Sequence, residues 1–136
     1  MSRIPMVVVD EQPEPIRDFM RRRGTPDIYR VLANAPAVFA GWAQLVDELV
    51  DSPTFSDRMR QLVAGRVAHE ADPADLTTDE RLLLDVVTEL CTTHRLRDES
   101  FTAAHELLGD ERLTELLMLV SYYFGLTLVS DAVDAR

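Results

Sequence analysis

The residues of this chain that could do chemistry fall into two small groups. In the first, Cys91 and His94 stand one helical turn apart with Glu89 close by. A thiol beside an imidazole can give a thiolate nucleophile, and Cys-x-x-His is also half of a zinc-site spacing. A zinc site needs three or four ligands, however, and neither His69 nor His105 falls at a partner spacing. The third reading is an inert core thiol, because Cys91 continues the apolar face of Leu84 and Val87.

The second group is His69 and Glu70, followed by Asp72. An imidazole and carboxylates at one helix end can support proton transfer. A histidine at a helix C-terminus is also favoured by the helix dipole with no function attached. His105 shares a face with Phe101 and Leu108, the pattern of a hydrogen-bonded core imidazole. Tyr122 and Tyr123 are expected in a buried helix, one packed and the other free to face a pocket. Trp42 and Phe39 read most simply as core.

Several chemistries are excluded outright. All 14 basic residues other than histidine are arginine. Without lysine there is no Walker A lysine, no Schiff base and no pyridoxal phosphate anchor. No glycine-rich phosphate loop or nucleophile elbow is present. One cysteine excludes an internal disulfide and suits a reducing compartment. The net charge of -10 argues against nucleic acid, and the one basic cluster, Arg21-Arg22-Arg23, reads as a solvated helix end. Residues 1–10 lack the apolar core and cleavage site of a signal peptide, so a cytoplasmic location is expected. No metal and no cofactor is expected.

The 136 residues are expected to form one all-α domain of six or seven helices, with residues 1–12 as an extended arm. Short helices are predicted from Pro15 to Arg23, ended by Gly24, and from Pro26 onward. Pro36 opens a helix with an apolar stripe of Val38, Trp42, Leu45, Val46 and Leu49. Ser52 is the expected N-cap of a helix from Thr54 to Glu70, with Phe55, Met59, Leu62 and Val63 facing inward and Ala64, Gly65 and Ala68 as a small-residue row. Thr77 and Glu80 have capping-box spacing before a helix reaching His94. Glu99 to Leu108 is expected to stop at Gly109, with Asp110 capping the last helix. That helix, Leu113 to Val129, is apolar on nearly every face. It should be covered on all sides, at the centre of the bundle or by another subunit, and residues 113–129 alone are too short and interrupted to cross a bilayer.

Four stretches in this order are familiar. Tyr29-Arg30-Val31-Leu32-Ala33-Asn34-Ala35-Pro36, Arg60-Gln61-Leu62-Val63, Leu76-Thr77-Thr78-Asp79-Glu80-Arg81 and Leu116 to Phe124 resemble segments of the carboxymuconolactone decarboxylase family, of the alkylhydroperoxidase D-like superfamily. Together they span most of residues 26–130. The chain departs from the family at Gln61, where members carry Glu, and at Ala35, where many carry His. After His69-Glu70 it runs directly to Asp72-Pro73, without the usual Cys- or His-bearing helix. The single cysteine excludes the family's disulfide-based peroxidase chemistry.

The resemblance implies an alkylhydroperoxidase D-like bundle that forms a homo-oligomer, and a cofactor-independent lyase acting on a small carbonyl-containing or polyketide-like molecule. On that reading His69 and Glu70 are the acid–base pair, Gln61 holds a carbonyl oxygen and Tyr123 donates a hydrogen bond. Tyr29, Trp42, Tyr122 and Arg60 are the expected substrate-binding residues. The alternative is a non-catalytic descendant acting as a binding or scaffolding subunit. Nucleic acid and membrane are not expected partners.

Overall fold

The computed structural model describes residues 2–135 and is all-helical, with no strand among the described residues. After a 3-10 turn at Val9–Glu11 come α1 (Glu14–Arg23), α2 (Asp27–Leu32), α3 (Pro36–Asp51), α4 (Asp57–Val67), α5 (Thr78–Thr93) and α6 (Asp98–Val133). The chain divides into two compact units, Met1–Asp51 with Leu126–Arg136, and Ser52–Gly125.

The first unit is built around aromatic rings. Phe19 of α1 meets Tyr29, Phe39 and Trp42 at centroid distances of 5.4, 5.5 and 5.9 Å. This cluster sets the rotation of α3. The predicted stripe is displaced: Val38 is 74% exposed and Leu45 is also exposed, whereas Phe39, Ala43, Val46 and Leu49 are buried. Both stripes have helical spacing, and the one that carries Phe39 into the aromatic cluster wins. The arginine run is paired as well as solvated. Arg22 and Arg23 reach Asp47 at 3.0 and 2.9 Å, and Arg23 reaches Asp51 at 3.1 Å, joining α1 to α3. The N-terminal arm is tied to its own unit. Arg3 N–H donates to the Val133 carbonyl at 2.7 Å, Val7 N–H to Arg30 at 3.1 Å, and the Asn34 amide to Pro5 at 2.6 Å.

In the second unit α4 packs on α5. The predicted capping box is present: Thr77 Oγ1 accepts from Glu80 N–H at 3.1 Å, and Glu80 Oε1 accepts from Thr77 N–H at 2.9 Å. Arg58 of α4 pairs with that same Glu80 at 2.8 Å and, with Thr77, holds its carboxyl down to about 2. The start of α4 differs from expectation. Ser56, not Ser52, is the N-cap and accepts from Met59 N–H at 3.1 Å, while the Ser52 hydroxyl donates to Thr54 Oγ1. Arg66 clasps the two helices from a largely buried position, donating to the Leu84 carbonyl at 3.0 Å and Thr88 Oγ1 at 2.9 Å and pairing with Asp72.

α6 contains the predicted stop. Gly109 adopts φ 76° and ψ -179°, a conformation open to glycine, and breaks the run where two helices were expected. The part beyond it is not covered all round. Leu113, Leu116, Leu119 and Val120 are buried, but Leu117, Met118 and Leu128 are 36, 45 and 55% exposed. By length and composition alone the Asp98–Val133 stretch is apolar enough to cross a membrane, a test that the core helix of a bundle also passes.

Candidate functional site

The end of α4 holds most of the expected catalytic residues. The helix stops because His69 takes the left-handed conformation, φ 59°. Its last turn is closed by Ala68 N–H to Ala64 at 3.0 Å, His69 N–H to Arg66 at 3.2 Å and Glu70 N–H to Gly65 at 2.8 Å. This is a C-terminal cap of the kind usually completed by glycine. Glu70 folds back over the helix, where a Cβ on Gly65 would lie 3.2 Å from its Oε2. A side chain at position 65 would need the exposed Glu70 carboxylate to shift by a few tenths of an ångström. Gln61 is one turn earlier on the same side of α4, so the fold brings Gln61 and Glu70 to one face. Gln61, His69 and Glu70 are all exposed.

The other predicted residues serve elsewhere. Arg60 donates to the Ser52 and Phe55 carbonyls at 3.1 and 2.5 Å and pairs with Asp57, so its guanidinium secures the loop before α4. Tyr122 and Tyr123 are half-buried on α6, their rings 4.9 Å apart. Tyr29 and Trp42 belong to the other unit, where they complete the aromatic cluster.

Cys91 is half-buried, and that burial pushes its thiol up, away from the thiolate that nucleophilic or redox work requires. No hydrogen bond joins Cys91 to His94 among the described residues. His94 caps α5 in the left-handed conformation, φ 61°, with its ring 5.9 Å from Phe124. No group of three or more metal-binding side chains occurs among the described residues. His105 is hydrogen-bonded as expected, Nε2 to Asp110 Oδ1 at 2.6 Å, but at the surface, stacked on exposed Phe101.

Sequence reasoning missed an open groove of about 1200 Å³ between α5 and the start of α6. Leu82, Val86, Leu96 and Ala103 give it apolar walls, and Glu89 lies within it. The Glu89 side chain is only 14% exposed and accepts from Arg97 N–H at 3.0 Å and Arg97 Nε at 2.8 Å. The Ser100 hydroxyl, then Arg97, hold its carboxyl below the usual range. Thr93 Oγ1 lies 2.9 Å from the Glu89 carbonyl and 3.1 Å from that of Arg95, bracing the turn. The groove lining includes none of Gln61, His69, Glu70 or Tyr123. The only sequence signal for it was Glu89, noted beside Cys91 for a different purpose.

A solved structure resembles this arrangement along its whole length. It is the crystal structure of an alkylhydroperoxidase AhpD core, an uncharacterized peroxidase-related protein from Ralstonia eutropha JMP134, with a TM-score of 0.73 over 99% of this chain and 91% of that one. The fold is alkylhydroperoxidase D-like. Sequence identity to that protein is 19%, so the likeness is one of fold. No family model and no curated protein matches the chain. In the alkylhydroperoxidase D-like frame, α4 supplies the exposed Gln61–Glu70 face, and α5 and α6 supply the groove.

Proposed function

We propose that this chain is a non-catalytic alkylhydroperoxidase D-like subunit that binds a small organic molecule in the groove between α5 and α6. The observation that carries the reading is the separation of roles within the Ser52–Gly125 unit. The one groove described has apolar walls and a fixed carboxylate, while His69 and Glu70 are accounted for by ending α4. A ligand would lay its apolar body along Leu82, Val86 and Ala103 and direct its polar end toward Thr92 and Arg95 at the rim. Glu89 shapes that rim by holding Arg97 and Ser100. The test is calorimetric titration of a library of small organic acids and ketones. Ala103→Trp, at a half-exposed wall position, should abolish binding while leaving the helical spectrum unchanged. Binding that survives this variant would refute the groove assignment.

The lyase reading is second, and it is supported by the convergence of Gln61 and Glu70 across Gly65. It requires His69 as acid–base partner, Gln61 as carbonyl holder and Tyr123 as donor. On this reading His69→Ala lowers turnover of a carbonyl substrate by about tenfold or more with the fold intact. Unchanged turnover would remove it.

A further inference from the structure

The charges that line the α5–α6 groove bear on which polar end its ligand carries. By residue type the lining is acidic: Asp85, Glu89, Asp98 and Glu99 stand against Arg95 and Arg97. Pairing reverses that balance. Asp85 lies 3.4 Å from Arg66 of α4. Glu89 is held by Arg97 at 2.8 Å, and Glu99 stands 3.9 Å from the same guanidinium. Asp98 is in the first turn of α6, where the helix N-terminus favours a carboxylate. Arg95 is left over. Among the described residues it is the one basic residue of the lining without a carboxylate partner.

Its backbone is fixed although its side chain is exposed. Thr93 Oγ1 reaches the Arg95 carbonyl at 3.1 Å, and Arg97 N–H donates to Glu89 at 3.0 Å. The link is thus tied to α5 on both sides of Arg95. Leu82, Val86, Glu89 and Thr93 follow one another on α5 at spacings of four, three and four, so they share one face of the helix. At a rise of about 1.5 Å per residue, Val86 lies about 10 Å and Leu82 about 16 Å before Thr93 along the axis. The groove is an apolar track with one unanswered cation where α5 ends.

We propose that the groove takes a medium-chain monocarboxylate, its carboxylate on Arg95 and its hydrocarbon chain laid back toward Val86 and Leu82. This rests on the groove reading above and names the ligand class. One negative charge on the ligand answers one cation. A second would be opposed by a chain whose net charge is -10. A protonated amine would have to draw Asp85 or Glu89 away from the arginines that already hold them.

Isothermal titration of the full chain with octanoate, octanamide and octylamine compares three head groups on one chain length. Octanoate should bind about fivefold more tightly than octanamide, the worth of a well-aligned ion pair at an open rim. Octylamine should bind more weakly than either. Arg95→Gln should bring octanoate down to the affinity of the amide, with the circular dichroism spectrum unchanged. Added salt should narrow the gap between acid and amide. Equal binding of acid and amide, tightest binding by the amine, or an acid preference that survives Arg95→Gln would each overturn the proposal. So would the absence of octanoate binding. Ala103→Trp tells this failure apart from failure of the groove reading. Octanamide binding that Ala103→Trp blocks, with no preference for the acid, removes the carboxylate assignment alone. Octanoate binding indifferent to Ala103→Trp removes the groove and this proposal with it.

Discussion

Two helices of the Ser52–Gly125 unit end in the same way and lead to different surroundings. α4 stops at His69 and α5 at His94, each a histidine in the left-handed conformation with φ near 60°. After His69 the chain turns Glu70 back onto Gly65, giving an exposed carboxylate on an open helix face. After His94 it turns Arg97 and Ser100 back onto Glu89, giving a mostly covered carboxylate in the wall of a groove. The histidines are terminators in both cases. What distinguishes the two ends is whether the carboxylate is held by donors, and the proposal that a ligand binds in the groove rests on the held one.

The comparison can be broken most forcefully at the clasp beneath the α4 end. Arg66→Ala removes hydrogen bonds from a largely buried guanidinium to Leu84 and Thr88. It should cost about 2–3 kcal/mol in urea unfolding, as the carbonyl it covers loses a charged donor. Next come the terminators. His69→Val and His94→Val place a β-branched residue in the left-handed region and should each destabilise by about 1–2 kcal/mol. The opposite change sharpens the point. His69→Gly and His94→Gly should each stabilise by about 0.5–1 kcal/mol, since glycine occupies that conformation without strain. A loss of stability in either glycine variant would show that the imidazole is needed for more than ending a helix.

Acid provides a gentler probe. Glu80, held to about 2 by Arg58 and Thr77, is depressed below its ordinary 4.5. Its contribution is therefore fully present above about pH 4.5 and is lost as the pH falls toward 2. Glu89 is shifted in the same direction by Ser100 and Arg97 and loses its contribution in the same sense. Acid unfolding followed by circular dichroism should begin below pH 4.5, and Glu80→Gln should flatten that part of the profile. A profile identical to that of the unmodified chain would mean that the Arg58 pair contributes nothing.

Much of the architecture was legible in the sequence because it rests on local rules. The Thr77–Glu80 capping box, the helix stops at Gly24 and Gly109, and the entry of α3 at Pro36 all depend on backbone chemistry within a few residues. Features set by distant contacts were not legible. The rotation of α3 depends on which residue joins Phe19 and Trp42, and periodicity alone cannot separate Val38 from Phe39. The choice of Ser56 over Ser52 depends on how Arg60 holds the loop carbonyls. What covers the exposed side of α6 was not legible, because an apolar sequence states what should be buried and not by whom. The groove escaped notice because Glu89, Arg97 and Ser100 form no motif and meet only through the turn at His94. His69 and Glu70 were conspicuous as residue types, and their type was less informative than their backbone.

The central claim is that ligand binding belongs to the α5–α6 groove and not to the end of α4. The most direct test is amide chemical-shift mapping of the full chain titrated with the small organic acids and ketones that bind it. The account predicts shifts gathered on Val86, Glu89, Thr92, Leu96 and Ala103. Shifts gathered instead on Gln61, His69 and Glu70 would contradict it and return the chemistry to the end of α4.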